Sequence, residues 1–185
     1  MKPSDTQVDA VGAGGVRWRA CSDEAFVREC RWEAFRGSGP GGQKRNKTSS
    51  AVRVVHVPTG LSATAEDSRS QAGNKKDALR RLRKRVVLEV REVVGMMEFV
   101  RPAWFAQWVK GGAIAIGMKD PAYWGVLGFV LDVLAATGWS VSEAAEMLGV
   151  GTGQLVHFVE ADADAWNWVN QRRAQAGLRV LRVGR

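Results

Sequence analysis

At 185 residues, with 45% hydrophobic and 25% charged side chains, the chain can bury one fair core or two small ones, and a formal charge of +8 points to an anionic partner. No run of about 18 or more uncharged apolar residues occurs, so no membrane-spanning helix is expected; the nearest candidate, residues 122–136, is too short and is interrupted by Asp132. The first 18 residues carry Asp5 and Asp9 without an apolar core, so no secretory or organellar presequence is expected. Cys21 and Cys30 lack metal-ligand spacing and read as reduced thiols in a cytoplasmic protein, with no metal and no cofactor.

The charge is unevenly divided. Residues 1–95 hold 19 Lys and Arg against 11 Asp and Glu, whereas residues 96–185 hold 8 against 8, so the whole net charge belongs to the first half. Such a patch is the footprint of a polyanion binder whose affinity rests on phosphate contacts, with a solvated, solubilising face as the plain alternative.

In chain order, residues 1–18 show no periodicity and read as a flexible tail. Ser22 is placed as the N-cap of a short helix over residues 22–30, with Asp23 and Glu24 favouring its dipole. Residues 31–36 alternate as a strand and deliver the chain into Gly39-Pro40-Gly41-Gly42-Gln43, a run almost without side chains that ends in one amide. Arg36, Lys44, Arg45 and Lys47 flank it. The β-branched residues 51–57 form a strand, Val57-Pro58-Thr59-Gly60 a type I turn, and residues 61–66 the returning strand. A polar connection over residues 67–76 leads to a long helix beginning near Asp77. Its apolar stripe is Leu79, Leu82, Val86, Val90 and Val93, and Arg80, Arg81, Arg83, Lys84 and Arg85 cover the outer face. The class is α+β: a small β-sheet crossed by a long basic helix.

After Gly95 six of the eight tryptophans appear, namely Trp104, Trp108, Trp124, Trp139, Trp166 and Trp168, and β signals fade. Gly111-Gly112 marks a break. Asp120-Pro121 starts a helix reaching about Thr137, Ser140 with Glu143 makes a capping box for the next, and Gly149-Val150-Gly151 turns the chain into a helix from Thr152. A last helix spans residues 163–176. This half reads as an all-α, tryptophan-rich module with the tryptophans mostly in its core. The expected organisation is a tail (1–18), an α+β domain (19–95) and a helical module (96–185).

The run GSGPGGQKRNKTSSAVRVVHVPTG, followed by SRSQAGNKKDAL, resembles the catalytic domain of class I peptide chain release factors and of the stand-alone ribosome-rescue hydrolases that share it. The likeness covers residues 21–94 and rests on the Gly-Gly-Gln triplet together with Asn46, the Ser-Ala-Val-Arg strand, the Pro-Thr-Gly turn, the Arg-Ser-Gln segment and the basic helix, in family order. It implies hydrolysis of the peptidyl-tRNA ester in the ribosomal peptidyl-transferase centre, with Gly41, Gly42 and Gln43 as the catalytic tip. Arg36, Lys44, Arg45, Asn46, Lys47, Arg69, Gln71, Asn74 and Lys75 are then expected to face RNA, with bracing of the loop by Asn46 and packing by Gln71 and Asn74 as alternatives. The implied partners are large-subunit rRNA and peptidyl-tRNA, and the protein is expected to act as a monomer. Relatives often carry His-Val where Lys44-Arg45 stands here. His56 and His157 read as structural residues rather than bases.

Only about 20 residues precede the domain, so a codon-reading part is hard to place and codon-independent release on stalled ribosomes is expected. Two alternatives remain: a non-catalytic ribosome- or RNA-binding factor, and a DNA-binding regulator using the helix-turn-helix-like rhythm of SVSEAAEMLGVGTGQLVHFVEAD. The second helix of that segment presents Gln154, His157 and Glu160, with Asp162 and Asp164 beyond, an acidic set that disfavours a duplex.

Overall fold

The computed structural model describes residues 22–35, 50–97 and 99–182. Ser22 caps α1 (Asp23–Arg28), its Oγ accepting from Ala25 N at 3.3 Å. After a turn at Glu29 come β1 (Cys30–Phe35), β2 (Ala51–His56) and β3 (Ser62–Ala65), antiparallel in the order β1-β2-β3. β2 is central and turns Val52, Val54 and His56 inward, with Arg53 exposed between them, as period-two alternation requires of a half-buried sheet.

The β2–β3 connection uses the expected proline and glycine, but its geometry is wider than a type I turn. Gly60 N donates to His56 O at 2.9 Å, His56 N donates to Leu61 O at 2.8 Å, and Gly60 has φ +70°, a left-handed position that only glycine adopts without strain. Thr59 supplies the extra tie by accepting from Leu61 N.

The long helix, α2 (Gln71–Glu89), starts six residues before the expected point. Ser70 is the reason: its hydroxyl accepts from Gly73 N at 3.2 Å and opens the helix on polar residues that overhang the sheet. The buried face runs Asn74, Ala78, Leu82, Val86, four residues apart, with Leu79 and Val90 at its margin. Two expectations fail here. Val93 lies beyond the helix end and is fully exposed, and Arg83, expected on the basic outer face, is 4% exposed with its guanidinium 5.4 Å from the Phe26 ring centroid. A helix packed on more than one side leaves too narrow a solvent arc for five consecutive-turn cations.

Beyond α2 the chain runs without regular structure to α3 (Ala103–Ala106), then forms a two-stranded ribbon, β4 (Val109–Lys110) and β5 (Ala113–Ile114). This ribbon is a departure from the all-α expectation. It turns on Gly111-Gly112, both with positive φ, so the expected break is a hairpin tip. Four helices follow: α4 (Tyr123–Ala136), α5 (Val141–Leu148), α6 (Thr152–Glu160) and α7 (Ala163–Gln175). Asp120 accepts from Ala122 N at 2.8 Å and caps a single turn leading into α4. The expected capping box at Ser140 does not form; its hydroxyl faces that of Ser142 instead, at 3.3 Å. All six tryptophans of this half are partly buried and packed against the larger core.

α2 belongs to both cores. Val87 and Leu88 sit in the larger cluster, whereas Ala78, Leu82 and Val86 sit under the sheet. Polar ties reinforce the junction: Lys84 Nζ lies 3.1 Å from Asp162 and 2.5 Å from Asp164, and the buried Asp132 accepts from Glu92 N at 3.0 Å with Arg91 at 3.3 Å.

Candidate functional site

The strand register defines where the glycine-rich run is mounted. Phe35 pairs with Ala51, so residues 36–50 connect two strand ends held side by side. Gly41, Gly42 and Gln43, together with Arg36, Lys44, Arg45, Asn46 and Lys47, lie outside the described residues. What the structure gives is the mount beneath them.

The mount is a polar clamp between the exit of that connection, the turn before α2 and the first turn of α2. Asn74 is fully buried, and its amide Nδ2 donates to Ser50 O at 2.7 Å and to Ser68 O at 2.8 Å. Its Oδ1 accepts from Ser68 N at 2.9 Å. Ser68 Oγ in turn accepts from Ser70 N at 3.0 Å. Asn74 therefore does not present its side chain outward as an RNA-facing residue would. The four-residue spacing to Ala78 and Leu82, visible in the sequence, already places it on the inward face of the helix. Arg69, Gln71 and Lys75 are exposed around the same turn.

The basic outer face of α2 is less free than its composition suggests. Arg81 donates to Thr64 O at 2.8 Å and Arg85 to Ser62 O at 2.5 Å, so both satisfy carbonyls of β3 at the sheet edge. Each is also paired, Arg81 with Asp67 at 2.6 Å and Arg85 with Glu89 at 2.7 Å. These two arginines, with Arg53 and Phe35, line an open cleft of about 810 Å³ beside the strand that leads into the glycine-rich run. Sequence reasoning grouped all five cations together; their separate use as edge seals depends on which strand lies at the edge.

His56 is structural, as expected. It is fully buried, stacks on Phe26 at 4.8 Å between ring centroids, and bonds Thr59 Oγ1 through Nδ1 at 2.9 Å. Burial pushes its pKa below the usual imidazole value, with Glu29, 3.5 Å from Nε2, acting in the opposite direction. His157 is exposed on α6. Among the described residues no three His, Cys, Asp or Glu side chains gather as metal ligands would, and no helix is long and apolar enough to cross a membrane.

The helix-turn-helix-like pair is α5 and α6. α5 ends in a Schellman motif, with Val150 N bonded to Ala145 O and Gly149 N to Glu146 O. The start of α6 is engaged, since Gly151 N donates to Gly112 O at the ribbon tip, 2.8 Å. In a DNA reader the N-terminal end of this helix enters the major groove. Asp162 and Asp164, read from the sequence as a repulsive acidic set, are instead bridged by Lys84, and Asp162 caps α7 by accepting from Asp164 N and Ala165 N.

Residues 25–95 match the family model of the RF-1 domain. Within this part the chain is similar to peptide chain release factor 1 of Verminephrobacter eiseniae, with 59% identity over 58 residues, 31% of this chain and 16% of that protein. It is 56% identical over 59 residues to that of Thermus thermophilus, 32% and 17% of the two chains. To that of Streptomyces griseus it is 44% identical over 69 residues, 37% and 19%. The sheet and α2 thus lie within the part that matches the RF-1 domain, while the chain spans less than a fifth of the length of these curated relatives.

Proposed function

We propose that this protein releases nascent peptide at the ribosome by hydrolysing the peptidyl-tRNA ester, with Gly41, Gly42 and Gln43 as the reacting tip. The observation that carries the reading is the RF-1 domain match across residues 25–95, which encloses the Gly-Gly-Gln triplet between the paired ends of β1 and β2. Gln43 is the eighth residue from either strand end, and chain length allows it to stand no more than about 28 Å from the sheet.

Ester hydrolysis passes through a tetrahedral oxyanion, and donors already aimed at it lower the barrier most in a water-poor site. Glycines at 41 and 42 keep the backbone slim enough for an RNA-walled centre. The Gln43 N–H then donates to the oxyanion or the leaving oxygen, and its side-chain amide shapes the space where water attacks. Arg36, Lys44, Arg45, Asn46, Lys47, Arg69, Gln71 and Lys75 hold rRNA or tRNA around the tip, the cations through phosphates. The site of action is the cytoplasm, where the ribosomes are, and no cofactor takes part.

The finer reading is codon-independent release on stalled ribosomes. It is supported by the helical module that lies outside the RF-1 match and is fastened to the long helix through Val87, Leu88 and Lys84. Purified protein is added to ribosomes carrying peptidyl-tRNA either on a message truncated in the A site or with a stop codon there. Release is expected on the truncated message, and a loss of roughly 10²–10³-fold for Gln43→Ala, the scale of one oxyanion donor. No release by the unaltered protein on either substrate overturns the enzymatic reading; release only at the stop codon overturns the rescue reading.

A further inference from the structure

The loop's exit is fixed by a side chain rather than by the sheet. Ser50 is the residue just before β2, and its carbonyl is held by Asn74, 24 positions later, at 2.7 Å. The same amide closes on both the carbonyl and the N–H of Ser68. Both amide hydrogens and an oxygen lone pair are therefore used, with no exposure to water. Only a side chain with two donors and one acceptor in a plane satisfies this set. An aspartate of the same shape turns an oxygen onto two carbonyls.

We propose that Asn74 is a positioning residue for the proposed peptide-release site: it locks Ser50, the root from which β2 starts, to the turn before α2 and to the first turn of α2. This rests on the proposed peptide-release function for its kinetic consequence, but not for its structural one. At Ser50 the clamp acts on one end of the connection, while strand pairing at Phe35 and Ala51 holds the two ends together. Exposed Arg69 and Lys75 flank the clamp, so Ser50 and this cationic collar share one support. Losing the clamp leaves the collar's charge intact and removes the anchor on Ser50 O. The defect then falls on the chemical step rather than on ribosome binding.

The test has two arms. Hydrogen exchange on the free protein follows Ser68 N–H, whose acceptor is Asn74, and Gly73 N–H in the same helical turn, whose acceptor is Ser70. In Asn74→Ala, exchange at Ser68 rises at least tenfold while amides of α4 are unchanged. The second arm is single-turnover peptide release over a range of protein concentrations. The maximal rate falls roughly 10–100-fold with the half-saturating concentration within about twofold. Arg69→Ala and Lys75→Ala show the reverse split. A half-saturating concentration raised as much as in Arg69→Ala makes Asn74 a binding residue and overturns the proposal. Unchanged exchange at Ser68 also overturns it, whatever the release assay gives. If the unaltered protein releases no peptide, the functional reading fails and the exchange arm still decides the clamp. Should Asn74→Ala not fold, Asn74→Ser replaces it, keeping one donor and one acceptor; failure of both to fold assigns Asn74 to overall stability and ends the proposal.

Discussion

The sheet unit and the helical module bury very different amounts of apolar surface while sharing one helix. Under the sheet the described core is seven side chains, three of them alanines (Ala63, Ala65 and Ala78), whereas the module's core has twenty, rich in leucine, valine and aromatic rings. With about 25 cal/mol per Å² of buried apolar surface, the sheet unit gains little from burial alone. It depends on polar fasteners: Asn74 at the loop root, Arg81 and Arg85 along β3, and the His56–Thr59 pair at the turn. The sheet unit is thus the less self-sufficient one, braced by α2 against a larger body.

That contrast can be broken most strongly at Leu82, fully buried under the sheet. Leu82→Ala is expected to cost about 3 kcal/mol, and in urea the sheet unit should unfold before the module, Trp32 reporting the first transition and Trp168 the second. A single coincident transition means the two cores are one cooperative unit and the asymmetry has no thermodynamic meaning.

The junction comes next. Asp132 is 2% exposed and satisfies both Glu92 N and Arg91. Asp132→Ala leaves a half-buried guanidinium without its carboxylate and should cost about 2–3 kcal/mol, drawing apart the two unfolding transitions further. A loss below about 0.5 kcal/mol in the same denaturation curve would show that Val87 and Leu88 alone carry the junction.

Gly149 sharpens the module's side. Its φ is +68°, and a Cβ there stands 2.0 Å from Arg101 Nη1, which donates to Leu148 O at 2.9 Å. Gly149→Ala should cost about 1–2 kcal/mol by left-handed strain and displacement of Arg101, read as a lower melting temperature with peptide release retained at 25 °C.

The smallest effect is the pH response of the sheet unit. Burial lowers the His56 pKa, so the unfolded chain binds the proton more readily than the folded one. Stability from this residue is complete above the unfolded value of about 6.5 and is lost as pH falls from there towards the folded value. The first urea transition should move to lower denaturant between pH 7 and pH 5.5, and His56→Phe should flatten that dependence. A transition that strengthens on acidification reverses the sign and makes Glu29 the stronger influence.

Much of this was legible from local chemistry. Ser22 acts as a cap, Gly60 and Gly149 end turns in left-handed backbone, and β2 alternates in and out, because each of these depends on a few neighbouring residues. The Gly-Gly-Gln run and its flanking segments were readable as a release-factor domain for a similar reason: the residues that carry the likeness lie close together in the chain. Asn74 takes the packing alternative rather than facing RNA, the four-residue step to Ala78 and Leu82 setting it inward while Arg69, Gln71 and Lys75 are exposed. The misreading of Arg83 has a different cause. It was placed in solvent because its burial depends on Phe26, 57 positions away.

The amino-acid order by itself determined the three strands of the sheet, most of the helices, the uneven division of charge and the presence of the Gly-Gly-Gln run. Tertiary structure alone decided that one helix serves two cores, that Lys84 meets Asp162 and Asp164, and that Asn74 reaches back across 24 residues to hold the loop's exit. Backbone propensity and period act within a few residues and can be read in one dimension. A buried amide or carboxylate takes whatever partners the folded chain brings within about 3 Å, and no local pattern names them.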